Sequence, residues 1–245
     1  MGKIVIHDTA DVTITDLNTG KVVLNAEAQL AQITGAISEE DLKGGIGNRK
    51  LYKIRTDKEV NLTMRSAIAD VEYWAMTQGV AVDQAGVAKV TDSVLLKAVD
   101  NTFTTYTIAV ADLVEADGAK VTIDGVQTAV PIATGGIIDL TALVATLTGA
   151  TDVQVFFQKE VTGKSVKIDS NKFAGKYKVE MRTIAYDLDT AQVTSDIYFL
   201  FPETIPAGEF DISLENGSVY TPEISFSVMN PIGSSEMGEI IEVAR

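Results

Sequence analysis

Apolar and polar residues alternate with period two along most of the chain, the pattern of half-buried β-strands. Val12, Ile14 and Leu17 mark a first strand. An Asn18-Thr19-Gly20 turn leads into residues 21–30, where Val22, Leu24, Ala26 and Ala28 oppose Val23, Asn25, Glu27 and Gln29. Ile54, Val60, Leu62 and Met64 alternate with Arg55, Asn61, Thr63 and Arg65 in a second long extended stretch. Between these arms, residues 33–50 (ITGAISEEDLKGGIGNRK) are polar and glycine-rich, and read as a long functional loop. Ser38 before Glu39-Glu40-Asp41 reads as the cap and charged first turn of a short helix within it.

The period changes once. Ser66 is placed to cap a helix over SAIADVEYWAMTQG, residues 66–79, with Ala67, Val71, Trp74 and Ala75 as an apolar stripe and Gly79 as its stop. Trp74, the sole tryptophan, is expected to anchor that helix on a sheet. Residues 80–165 are rich in Ala, Val and Thr and poor in cations. Asp124-Gly125 signals a hairpin, residues 138–149 read as a short helix, and TDVQVFFQKEV reads as a strand. Alternation resumes in KYKVEMRTIAYD, SDIYFLF, EFDISLEN and PEISFSVMN, with Asn216-Gly217, Pro202 and Pro206 as punctuation.

The expected class is mainly β: a β-sandwich or open barrel with one flanking α-helix, a long β-hairpin arm and a β-rich insertion. Residues 1–79 plus 166–245 would form one discontinuous domain, and residues 80–165 a small insertion or decoration domain.

Composition narrows the function. The 245 residues are 46% hydrophobic, enough for a large core. No apolar run reaches the roughly 18 residues of a membrane helix, and the N-terminus shows no signal-peptide core, so folding in a cytoplasm is expected. The chain has no cysteine and one histidine, His7, in a terminal segment expected to be mobile. A usual zinc site and cysteine chemistry therefore fall away. Gly163-Lys164-Ser165 resembles the end of a phosphate loop, but Gln158 stands where that motif has glycine, and a turn is expected. GGIGN does not fit the dinucleotide fingerprint. Asp187 and Asp189 fall short of a calcium loop and suit a turn. With no convincing catalytic constellation, a non-enzymatic protein without cofactor or metal is expected.

The formal charge is −14, which opposes wrapping of nucleic acid and favours solubility. Residues 43–65 depart from this: seven cations against two carboxylates give +5, leaving −19 on the rest. Such a block suits docking onto an acidic surface of another copy. It equally suits a basic strand edge that blunts aggregation.

Together, the two long strands and polar loop of KVVLNAEAQLAQITGAISEEDLKGGIGNRKLYKIRTDKEVNLTMRS, the following helix SAIADVEYWAMTQG, and the strand run GKYKVEMRTIAYDLDTAQVTSDIYFLFP with FDISLENGSVYTPEISFSVMN resemble the major tail tube proteins of tailed bacteriophages and the tubes of contractile injection systems. The resemblance covers about two thirds of the chain. It implies a virion structural protein, assembled in the bacterial host cytoplasm into stacked hexameric rings around a lumen that passes DNA. Implied partners are further copies of the chain, the tape-measure protein, and tail-terminator and baseplate proteins, with no specific nucleic-acid binding and no membrane. The loop residues Glu39, Glu40, Asp41, Lys43, Gly44, Gly45, Gly47, Arg49, Lys50, Lys53 and Arg55 would then reach a neighbouring subunit or ring. Asn25, Glu27 and Gln29 are candidates for the lumen face, which alternation alone does not distinguish from the outer face. The alternatives are a β-sandwich binding or adhesion module, against which an aromatic content of 7% weighs, and another phage tail or decoration protein.

Overall fold

A computed structural model describes residues 4–66, 68–96, 107–109, 112–114, 118–123, 126–130, 132–133, 137–140, 152–209 and 211–245. They group into two compact units, Met1–Val82 with Val166–Arg245, and Asp83–Ser165.

In the first unit the strands are β1 (Ile4–Ile6), β2 (Asp11–Asp16), β3 (Val22–Gly44), β4 (Arg49–Ser66), β12 (Tyr177–Asp187), β13 (Val193–Pro206), β14 (Glu223–Val228) and β15 (Glu239–Ala244). All pairings are antiparallel, and they run β2–β3–β4–β14–β13–β12 and back to β2. This closed cycle removes strand edges over the body of the barrel. β1 and β15 lengthen it by pairing the remaining ends of β12 and β13. In the N-terminal segment Ile4–Ile6 pair with the free end of β12 at Ala185–Asp187, and His7 follows outside the strand; residues 1–3 lie outside the described residues.

Alternation explains what lies inside. Val12, Ile14, Leu62, Met64, Val179, Met181, Ile224 and Phe226 are buried and form one cluster. Burying each large apolar side chain stabilises the fold by about 1.5–3 kcal/mol. In β12, where Tyr177, Val179, Met181 and Ile184 are the apolar marks that KYKVEMRTIAYD offers, the inward series continues from Met181 to Thr183 and Ala185 instead of Ile184. EFDISLEN is not a strand over its described residues: residues 211–215 are irregular, Ile212 and Leu214 are exposed, and Phe210 lies outside the described residues. The strands that flank these residues in sequence, β13 and β14, already have partners on both sides.

The helix α1 (Val71–Gln78) is shorter than the sequence suggests. Ser66 is still in β4, its N–H donating to Pro222 O, while its hydroxyl bonds the backbone of Ile68. Asp70 is the cap instead, Oδ1 accepting from the Glu72 N–H at 3.3 Å. Of the expected stripe, Ala75 is buried and Val71 only partly so, while the later start also turns Tyr73 and Met76 inward; Ala67 lies outside the described residues. Trp74 does anchor the helix: it packs against the core cluster and stacks on Tyr220 with ring centroids 6.5 Å apart. Gly79 ends the helix in the left-handed region at φ 64°, as expected of a glycine stop.

The second unit contains β5 (Asp83–Leu96), β6 (Thr107–Ala109), β7 (Ala119–Ile123), β8 (Val126–Val130), β9 (Ile132–Ala133), β10 (Ile137–Asp139) and β11 (Val153–Ser165). Four strands form one sheet, β5-β11-β7-β8, and three form another, β6-β10-β9. Its own core holds Val121, Ile138, Leu140, Val153, Val155 and Phe157. β7 and β8 pair as the hairpin signal implies; Asp124 and Gly125 themselves lie outside the described residues. Ile138 and Asp139 are strand, not the start of a helix, and residues 141–149 lie outside the described residues. Gly163-Lys164-Ser165 is the bulged end of β11 rather than a turn. A Cβ on Gly86 would lie 2.0 Å from Ser165 Oγ, so glycine there permits the bulge.

Candidate assembly interface

β3 has 23 residues and β4 has 18, far longer than the five or six typical of strands. The expected long loop is instead strand almost to its end. Residues 39–41 are in β3, not a helical turn, because each has a partner on β4: Glu39 faces Arg55, Glu40 faces Ile54 and Asp41 faces Lys53. The connection shrinks to a turn at residues 45–48. Gly45 and Gly47 have φ of 79° and 88°, a backbone that glycine adopts without strain, and the Asn48 N–H donates to Gly45 O at 3.1 Å. The glycines therefore make a tight reversal and leave no phosphate cradle.

Only the root of this hairpin belongs to the barrel. β2 pairs with β3 as far as Glu27, and β14 pairs with β4 from Asn61 to Arg65. Beyond, the two strands pair only with each other. Every residue from Gln32 to Glu59 except Gly44 is exposed.

Three of the seven cations of residues 43–65, Lys50, Lys53 and Arg55, are paired within the same hairpin. Lys53 Nζ pairs with Glu39, Arg55 Nε donates to Glu39 Oε1 at 3.3 Å, and Lys50 Nζ lies 2.5 Å from Asp41 Oδ1. At the root, Arg65 pairs with Glu223 of β14 at 2.8 Å. Residues 35–59 carry six cations against five carboxylates, so the projecting part is nearly neutral. Reading β4 alone missed this, since the partners of Lys50, Lys53 and Arg55 lie earlier in the chain, on β3. Lys43 and Arg49, beside the turn, make no ion pair among the described residues.

Successive side chains on a strand point to opposite faces. Glu39, Asp41, Lys53 and Arg55 consequently share one charged face, and Leu42, opposite Tyr52, shares the other with Ile54. Leu42, Tyr52 and Ile54 are 52%, 66% and 39% exposed, and Ile46 at the turn is 97% exposed. Sequence reading missed this apolar face because it took residues 33–50 for a loop, in which alternation has no meaning.

Nearer the barrel, Asn25 and Glu27 are exposed on the face of β3 opposite the core. Across the sheet they meet Thr13 and Asp11 of β2, which in turn face Glu180 and Arg182 of β12. Arg182 lies 5.9 Å from the ring centroid of Tyr198 on β13. Gln29 is exposed where the register shifts between Ala28 and Leu30. That bulge switches the inward parity of β3 from Ala26 and Ala28 to Ala31, which faces Met64.

The YomU/Tube protein family matches residues 4–243. A tail tube protein of Bacillus phage SPR is 40% identical over 244 residues, covering 99% of this chain and 90% of that one. The SPbeta prophage-derived uncharacterized protein YomU of Bacillus subtilis (strain 168) is 30% identical over 243 residues, 98% of this chain and 88% of that one. With both its strands and its helix inside these alignments, the chain belongs to the YomU/Tube protein family, as a structural protein akin to a phage tail tube protein.

Proposed function

We propose that this protein polymerises into the tube of a phage tail, each copy joining others into rings that stack around a lumen. The supporting observation is the projecting two-stranded part of β3 and β4. An isolated ribbon of two strands is marginal in water, and this one leaves its outer backbone edges unpaired and Leu42, Tyr52 and Ile54 uncovered. Contact with other copies supplies what the ribbon lacks. Ring formation satisfies edges, and head-to-tail stacking propagates as a filament.

In this reading the ring is hexameric by analogy with the tubes the chain resembles. The hairpin residues from Glu39 to Arg55 form the contact between subunits or rings. The polar face carrying Asp11, Asn25, Glu27 and Glu180 lines the lumen, and Gln29 borders it. The same face carries Lys178, paired with Glu180, and Arg182, so the wall is weakly acidic and without net positive charge, and DNA slides through without being held. Tape-measure, terminator and baseplate proteins are the expected partners, in a virion tail built in the host cytoplasm. The unit Asp83–Ser165 decorates the tube.

Electron microscopy of the purified protein at rising concentration tests the proposal. Rings or tubes are expected. A protein that remains a compact monomer at every concentration, and also when offered its tape-measure protein, would overturn it.

A further inference from the structure

The tip of the long hairpin and a groove on the barrel have complementary chemistry. The groove, of about 890 Å³, is bounded by the irregular segment between β13 and β14 and by the edge residues Arg65 and Glu223. Glu209, Asp211 and Glu215 line it and make no ion pair among the described residues. Its one lining cation, Arg65, is already held by Glu223 through two bonds to Oε2 at 2.8 and 3.1 Å. Val219, 80% exposed, supplies an apolar wall beside Tyr220. The hydroxyl of Tyr73, a residue only 2% exposed, has no hydrogen-bond partner among the described residues.

The hairpin tip presents the opposite features: Lys43 and Arg49 without carboxylate partners, flanking a fully exposed Ile46. The tip is kept from its own groove by distance. Arg49 and Arg65 stand at opposite ends of β4, about 50 Å apart at strand rise.

We propose that the groove receives the hairpin tip of a second copy of this chain, with Lys43 and Arg49 against Glu209, Asp211 and Glu215 and with Ile46 against Val219. This rests on the tube reading above and names the receiving surface that the reading leaves open. Because donor and receiver are different patches, the contact does not close on itself and repeats from copy to copy. Opposite charges across it set register and speed encounter.

The native chain has no cysteine, which makes a cysteine pair a clean probe. In the full-length protein carrying Ile46→Cys and Val219→Cys, mild oxidation of assembled tubes should give a ladder of covalent oligomers under denaturing electrophoresis. Either single variant should stop at dimers or monomers. Charge reversal supplies the second arm. Lys43→Glu with Arg49→Glu should raise the concentration needed for assembly about tenfold or more, as loss of a matched charge pair does. Adding Glu209→Lys, Asp211→Lys and Glu215→Lys should restore it. Tubes that form normally but give no ladder, with no rescue by the second set of reversals, would overturn the groove assignment and leave the tube reading standing. Failure of the unmodified protein to form tubes at all would overturn both.

Discussion

Glu39 on β3 stands opposite Arg55 on β4 and binds both Arg55 and Lys53, so the basic stretch of the sequence is answered by the strand that pairs with it. The pairs are exposed, and such bridges contribute only about 0.2–1 kcal/mol each. Glu39→Ala should therefore leave the urea midpoint of the monomer almost unchanged. A loss above about 2 kcal/mol would mean that the hairpin is integral to the cooperative fold.

Deleting residues 38–48 goes further in the same direction. The excised segment makes no strand pair with the barrel, since β14 contacts β4 only from Asn61 onward. The shortened chain is expected to keep its far-ultraviolet dichroism and thermal transition while losing the ability to polymerise. Tubes formed by the shortened chain would remove the hairpin tip from the assembly contact.

Gly79 carries two independent demands. Its φ of 64° lies in the left-handed region, and a Cβ built on it would lie 1.9 Å from Phe173 O. The conformation alone costs a non-glycine residue about 1–2 kcal/mol, and backbone displacement adds to that. Gly79→Ala should destabilise by about 2 kcal/mol or more, measured by denaturant unfolding. An unchanged midpoint would show that the Phe173 segment moves aside freely.

What sequence could and could not reveal follows from range. Alternation located Val12, Ile14, Leu62, Met64, Ile224 and Phe226 because a strand's buried side is a local, period-two property. Gly79 was legible because a helix stop is also local. Ser66 was mistaken for the cap because its backbone is claimed by Pro222, more than 150 residues away in sequence. Residues 209–216 alternate well, yet nothing local shows that the adjoining strands β13 and β14 are already paired on both sides. The hairpin site was half legible. Its two strands were legible, but Lys50, Lys53 and Arg55 read as free cations until the register set Glu39 and Asp41 beside them.

The last residue of the chain is tied to the barrel by charge. Asp196 on β13 accepts from Arg245 Nε at 3.0 Å and from a second Arg245 nitrogen at 2.8 Å, and from Arg182 at 3.2 Å. The Arg245 hydrogen bonds, with Arg182 adding, hold the Asp196 carboxyl below its ordinary range. A depressed folded-state value means that the ionised form is the one favoured by folding. The stabilisation is complete at neutral pH, begins to fade near the ordinary aspartate value of about 3.9, and is gone below the depressed one. The protection factors of β15 amides, that is, exchange relative to the intrinsic rate at each pH, should fall over that acid window in the native protein. In Asp196→Asn the protection factors should be lower already at neutral pH, with no further loss as the pH falls through it. Identical profiles for the two proteins would show that β15 is held by its backbone pairing with β13 alone.

The unit Asp83–Ser165 begins and ends on paired residues: Asp83 and Ser165 are partners across β5 and β11. Antiparallel partners lie about 4.5–5.5 Å apart at Cα, and two residues of chain span about 7 Å. Val82 can therefore be joined to Val166 through Gly-Gly with little strain. The two clusters of buried residues share no member, so removal leaves the barrel core of Phe226, Leu62 and Met181 whole. The shortened protein is expected to fold with a cooperative thermal transition and still to form tubes, of smaller outer diameter by electron microscopy. A soluble, folded product that no longer assembles would give the unit a part in the subunit contact in place of decoration.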